Sequence, residues 1–273
     1  MLFIGLMNIL KKFKNMGINS SVIFTNSLKF IKIINKSFKV NLVLIDSSKE
    51  ELDILNYCKW NSIDVVFFNE EMDLSILKPF KKSYTFTYGF NHIFTNKIIS
   101  IFDKGIWNVH PGTLPDYRGR HPVQWAIING DKNIGIAIHS ITTEIDKGNL
   151  LALDHIKVEV GDTESTIYSK IFKLLEEKLI DLSITTYSKN EYKELGEGTY
   201  YPSLKGGPKI LPYTEYTSLE FFNLLRSQQE YNGIKIGGKV YKKAYFYEEE
   251  CFGDYPKEQI FTFKDNKQLI LYP

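Results

Sequence analysis

Apolar positions gather first in short runs rich in β-branched residues, at residues 21–25 (SVIFT), 40–45 (VNLVLI) and 63–68 (IDVVFF). Near-continuous apolar runs of this length suit strands covered on both faces. Helix-like stretches at 28–35 and 49–60 separate them. Alternating strands and helices predict a parallel sheet with right-handed crossovers. Residues 84–88 (YTFTY) read as a fourth strand, 97–102 as a short helix and 105–109 as a fifth strand ending at Asn108 and His110. A helix is predicted over 122–130, with Pro122 in its first turn and Gly130 as its stop. The alternating stretch 134–141 (IGIAIHSI) and the stretch 150–158 read as neighbouring strands.

Asp162 or Thr163 then caps the most regular helix pattern, with Ile167, Ile171, Leu174, Leu175, Leu179 and Leu182 at helical spacing. Composition changes near Ser188: glycines and prolines punctuate the chain to Pro212, which marks loop. Thr217 and Glu220 form a capping box for a short helix whose expected apolar stripe is Leu219, Phe222 and Leu225. Residues 234–247 predict a hairpin around Gly237-Gly238, and 260–263 and 269–271 two closing strands. The expected fold is therefore α/β: an open, mostly parallel Rossmann-like sheet with flanking helices over residues 1–190, plus a small, mostly β C-terminal region over 191–273.

Composition narrows the classes of function. Apolar residues make up 43% of the 273, enough for a proper core. Lysine and arginine (34) nearly balance aspartate and glutamate (32), so nothing in the charge asks for nucleic acid. Cys58 and Cys251 stand far apart, with neither metal-ligand spacing nor a disulfide framework, so a reducing cytoplasm and no metal are expected. The apolar residues 1–10 are too short to span a bilayer, and their lysines follow rather than precede them, so a peripheral helix is expected and no membrane partner.

The chemistry concentrates in residues 107–149. Asn108 and His110 lie two apart at a strand end, so their side chains share a face. Ligands of open α/β sheets bind beyond the carboxyl ends of strands. Each residue alone also has a structural explanation: Asn108 as a turn residue, His110 as a histidine packed beside a proline, Asp146 as an acidic turn.

The combined pattern is more specific. N-x-H-P-x-x-L-P-x-Y-R-G-x-x-P, from Asn108 to Pro122, is followed by H-x-x-x-x-x-I-D-x-G-x-L, from His139 to Leu150. It resembles the folate-dependent formyltransferase family, densely over about forty residues and faintly over the first 190. That family includes methionyl-tRNA formyltransferase, glycinamide ribonucleotide transformylase and the sugar N-formyltransferases. The resemblance implies the formyltransferase fold, N10-formyltetrahydrofolate as formyl donor, and catalytic roles for Asn108, His110 and Asp146. It implies folate contacts, largely through main chain, at Phe90, Asn91, His92 and Ile93 and at Thr142, Thr143 and Glu144. These residue types suit the chemistry: an amide and an imidazole can donate to an oxyanion, and an imidazole can carry the proton that an attacking amine sheds.

The acceptor is read from the periphery. The stretch following 190 is not markedly basic, with Glu248, Glu249, Glu250 and Asp254, whereas a tRNA stem wants dense lysine and arginine. The aromatic-rich segment from Tyr117 to Trp125 and the segment Gly198-Thr199-Tyr200-Tyr201-Pro202 are similar to the sugar enzymes. The resemblance thus implies a nucleotide-linked amino sugar as acceptor, with dTDP as nucleotide, in surface polysaccharide biosynthesis, and a homodimer. Trp125, Tyr200 and Tyr201 are candidates to stack on a sugar or base, and Arg118, Arg120 and Lys205 to meet a diphosphate. Core packing or a solvated loop competes with each of these roles. Methionyl-tRNA as acceptor, and a non-catalytic protein that binds folate or a sugar nucleotide, are the alternatives. The chain departs from the family in the nineteen or so residues before its first strand.

Overall fold

A computed structural model describes residues 20–46, 51–184, 193–247 and 259–273, with the side chains of 178–184 excluded. The expected N-terminal helix, the boundary at 190, Cys251 and the acidic residues 248–250 and 254 lie outside the described residues.

The apolar runs do form strands. β1 (Ser20–Thr25), β2 (Lys39–Asp46), β3 (Asp64–Phe68), β4 (Tyr84–Tyr88) and β5 (Trp107–His110) belong to one seven-stranded sheet with β7 (Asn133–Ser140) and β8 (Leu150–Lys157), in the order β3-β2-β1-β4-β5-β7-β8. The first five run parallel and β7 runs antiparallel to β5. The crossover helices are α1 (Leu28–Ser37), capped by Ser27, and α2 (Leu52–Trp60); the short α3 (Asn96–Ile99) precedes β5. β1 is central and buried throughout. β3 departs from the expectation of cover on both faces: it is the sheet edge, mostly half-buried, and Phe67 is exposed. A 3-10 turn over Leu74–Phe80, containing Pro79, lies outside any helical periodicity and went unanticipated.

Compactness divides the chain into two units that alternate along the sequence. One comprises the described parts of Met1–His110, Ile136–Asp154 and Phe172–Glu197. The other comprises Pro111–Gly135, His155–Ile171 and Gly198–Pro273. In the first, Phe24 lies at the centre of an aromatic core, edge-on to Phe68, Phe90, Phe94 and Phe102 at centroid distances of 5.0–6.3 Å.

The second unit holds α4 (Pro122–Asn129), the start of the long helix α5 (Glu164–Ile184), and α6 (Ser218–Gln228) with its capping box. Its core is Phe221, Leu224, Leu225, Ile234, Tyr241, Phe263, Leu269 and Leu271. The expected stripe on α6 is corrected here: Phe221 and Leu224 face the core beside Leu225, and Leu219 is 52% exposed. The predicted hairpin is shorter than expected. β10 (Ile234–Ile236) and β11 (Lys239–Tyr241) turn at Gly237-Gly238, both at positive φ. β12 (Lys243–Phe246) then leaves to pair with β14 (Gln268–Tyr272), which also pairs with β13 (Ile260–Thr262).

Two local features fix the loops that carry chemistry. The turn between β7 and β8 closes tightly: Ser140 N–H donates to the Asn149 carbonyl at 2.8 Å, and a Cβ at Gly148 would lie 1.7 Å from the Ser140 carbonyl oxygen. In the second unit, buried Gln124 donates to the Tyr231 hydroxyl (3.1 Å), which donates to buried Glu164 (3.0 Å). Gln124 Oε1 and Glu164 Oε2 are buried and find no hydrogen-bond partner among the described residues.

Two measurements test these features. Gly148→Ala must push its turn off β7, so denaturant unfolding is expected to show a loss of roughly 2 kcal/mol or more. Gly196→Ala, where a Cβ meets nothing within 4 Å, is expected to change stability by less than about 0.5 kcal/mol; equal losses would contradict the reading. Burial, reinforced by Glu230, raises the Glu164 carboxyl from its ordinary 4.5 to about 7. A raised folded value means that stability is full below 4.5 and is lost as pH rises through 7. Glu164→Gln is therefore expected to match wild type at pH 4.5 and exceed it by roughly 2–3 kcal/mol at pH 8; a pH-independent difference would refute this.

Candidate active site

The end of β5 carries the polar pair anticipated from sequence. Asn108 pairs across the sheet with His139 of β7, and His110 with Ala137, all on one face. The opposite face of β7 presents Ile134, Ile136 and Ile138 to the interior. Cross-strand pairing thus sets a second imidazole beside the Asn108 amide, and a small residue opposite His110.

The β7–β8 turn supplies the third group. Asp146 is buried and sits in the left-handed backbone region at φ 52°, a conformation aspartate tolerates better than most residues. Its Oδ2 lies 3.6 Å from His110 Nδ1, and its Oδ1 lies 3.3 Å from Asn108 Nδ2 and 3.4 Å from His139 Nε2. The three residues predicted from sequence therefore converge, and they do so around a fourth.

That fourth residue, His139, is fully buried, and in the sequence it stands only as the first residue of the second motif. Its Nδ1 lies 3.0 Å from the Ser140 carbonyl oxygen, which can only accept, so Nδ1 donates. In that tautomer Nε2 accepts from Asn108 Nδ2 at 3.0 Å. One amide hydrogen of Asn108 is thereby fixed on His139, and the other points to Asp146 through a longer bond. No sequence signal short of the β5–β7 register would have assigned His139 this place.

The candidate folate segments divide by environment. Phe90 is drawn into the core, 5.6 Å from Phe24 and 5.3 Å from Phe68. Asn91 and Ile93 are exposed. His92 packs on Phe68 and Phe90; its Nε2 is 3.3 Å from Asp46 yet is buried without a hydrogen-bond partner, the distance being met and the alignment not. Thr142, Thr143 and Glu144 form an exposed, self-bonded turn: Glu144 N–H donates to the Thr142 hydroxyl, and Lys147 pairs with the Glu144 carboxylate.

The candidate acceptor residues gather in the second unit, where the motif from Asp116 to Asn129 forms a bed for the strap 198–204. β6 (Arg118–Gly119) pairs with β9 (Tyr200–Tyr201). Asp116 accepts from the Thr199 N–H and hydroxyl. Trp125 Nε1 donates to the Pro202 carbonyl at 2.9 Å, and His121 Nδ1 accepts the Leu204 N–H at 2.8 Å. Tyr201 stacks on Tyr117 at 4.8 Å with Trp125 at 5.1 Å, and its hydroxyl accepts from Asn129. Gly119 is required because a Cβ there would sit 2.4 Å from the Tyr201 carbonyl oxygen. Tyr201 and Trp125 are therefore committed to the strap itself, whereas Tyr200, Arg120 and Lys205 are exposed and Arg118 is buried.

Similarity to known proteins agrees with this geometry. The chain is 28% identical over 210 residues to a methionyl-tRNA formyltransferase of Borreliella burgdorferi, covering 72% of this chain and 65% of that protein. It is 31% identical over 148 residues to the bifunctional polymyxin resistance protein ArnA of Wigglesworthia glossinidia brevipalpis, covering 51% of this chain and 23% of that protein. The chain thus spans less than two thirds of the length of these curated relatives. Among solved structures, the fold is similar to WlaRD, described as a sugar 3N-formyl transferase (TM-score 0.69, 20% identity, 94% of this chain and 98% of that one). It is also similar to an N-formyltransferase of Helicobacter canadensis in complex with folinic acid and dTDP-3-aminofucose (TM-score 0.68, 21% identity, 94% and 99%). A phosphoribosylglycinamide formyltransferase of Bacillus halodurans aligns over 63% of this chain (TM-score 0.53, 21% identity, 99% of that chain). The family described as Formyl transferase matches residues 32–182, more than half of the sequence and all four residues of the polar cluster, and the chain belongs to that family.

Proposed function

We propose that this protein transfers a formyl group from N10-formyltetrahydrofolate to the amine of a nucleotide-linked amino sugar, with dTDP as the nucleotide. The observation that carries the transfer chemistry is the convergence of Asn108, His110 and Asp146, each pair linked through the carboxylate at 3.3–3.6 Å. The sugar acceptor is supported by similarity in fold, over nearly the whole chain, to enzymes described as sugar N-formyltransferases.

The cluster suits each charge that develops. When an amine adds to the formyl carbon, the carbonyl oxygen gains negative charge. His139 holds one hydrogen of the Asn108 amide, which leaves the second, on the Asp146 side, to donate to that oxygen. His110 takes the proton shed by the attacking nitrogen and returns one to the departing nitrogen of the donor as the carbon–nitrogen bond breaks. Asp146 stabilises the imidazolium between those two transfers. Exposed Asn91 and Ile93 and the exposed Thr142–Glu144 turn, with apolar Ile93 and Ile145 open to solvent, fit a flat, partly polar donor held against backbone. Tyr200, Arg118, Arg120 and Lys205 are the acceptor contacts under this reading.

A second acceptor has its own support: several curated relatives are described as methionyl-tRNA formyltransferases. A panel of amines separates the two. Purified protein with the formyl donor is expected to add 28 Da (the mass of CO) to a dTDP-amino sugar and to leave charged initiator tRNA unmodified; formylation of the tRNA alone would reverse the assignment, and no product from either would remove it. On the active acceptor, Asn108→Ala and His110→Ala are each expected to lower kcat by about 10²–10³. The double variant should fall little further, because the two act on one transition state. Near-normal turnover in both single variants would exclude the catalytic roles.

A further inference from the structure

The strap 198–204 is laced to its bed by backbone pairing to Arg118 and Gly119, by Trp125 Nε1–H to the Pro202 carbonyl and, at its start, by the Asp116 carboxylate, which accepts from Thr199. At its far end the bond is different in kind. The Leu204 N–H can only donate, so the His121 Nδ1 it meets at 2.8 Å must carry a lone pair. Protonation of that nitrogen would set two donors against each other. The His121 backbone stands at φ 59° in the N-cap position of α4, which ties its Cα to the helix start.

We propose that His121 is an acid-released clamp: it holds Leu204, and with it the strap bearing Tyr200 and Lys205, only while Nδ1 is unprotonated. Burial and the adjacent Arg120 both push the imidazole below its ordinary value, so the clamp is closed at neutral pH. Arg120 beside it in the chain is the charged group that acts on the ring, a cation that opposes a charged imidazole. A depressed folded value means that the clamp's contribution is complete above the free imidazole value of about 6.5 and is lost as pH falls through the folded value. The consequence for catalysis rests on the acceptor reading above. Tyr200 and Lys205 would lose their position in acid, so acceptor KM would rise before kcat falls. His121 is thus a positioning residue.

The test has a readout that needs no substrate. Amide exchange at Leu204, followed by NMR between pH 5 and 8 and corrected for intrinsic exchange, is expected to lose protection by up to about tenfold per pH unit below 6.5, while Tyr201 keeps its own. His121→Asn places an amide oxygen where Nδ1 stood and tolerates the left-handed backbone. It should restore protection and flatten the pH profile. His121→Ala should be unprotected at every pH. A flat wild-type profile, or a step that survives in His121→Asn, would overturn the clamp. Turnover with no exchange step would do the same while leaving the formyltransferase reading intact. An exchange step in a protein that formylates nothing would uphold the clamp and remove only its link to the acceptor.

Discussion

The antiparallel register between β5 and β7 is the constraint on which the polar cluster depends. It places Asn108 against His139 and leaves only Ala137 opposite His110. A slip of one residue would turn His139 to the face occupied by Ile136 and Ile138, leaving a buried imidazole among apolar side chains and away from Asn108 and Asp146. The hydrophobic alternation of β7 forbids that slip, so the same pattern that packs the sheet also aims the histidine. The β7–β8 turn then closes as tightly as a missing Cβ at Gly148 allows, and this brings Asp146 back against both imidazoles.

The second unit applies the same economy to a surface segment. Asp116, Gly119, His121, Trp125 and Asn129 are spent on holding residues 199–204 in place. An aromatic-rich motif that invites a reading of direct ligand stacking serves first to stack on its own strap. Tyr200, which no ring among the described residues covers and which stands 55% exposed, is the aromatic left to meet something else.

Much of this was legible in the amino-acid sequence because local physics dominates there. The strands β1 and β2 carry near-continuous apolar runs, and the Asn108–His110 spacing states its own geometry once a strand is assumed. The capping box of α6 was readable for the same reason. What stayed hidden is set by tertiary context. Phe67 belongs to an apolar run yet is exposed, because β3 turned out to be an edge. Leu219 and Phe221 both fit a helical stripe, and only packing against α4, β12 and β14 chose between them. His139 and His121 gained their partners from strand register and from a strap some eighty residues away, neither of which any local pattern encodes.

The most direct measurement of the central claim is a crystal structure of the protein with a non-reactive N-formyl folate bound. The account predicts the formyl oxygen within about 3.2 Å of Asn108 Nδ2, with the His110 imidazole still beside the Asp146 carboxylate and an open approach to the formyl carbon. A formyl group bound away from Asn108, or Asp146 swung out of contact with His110 in the complex, would contradict it.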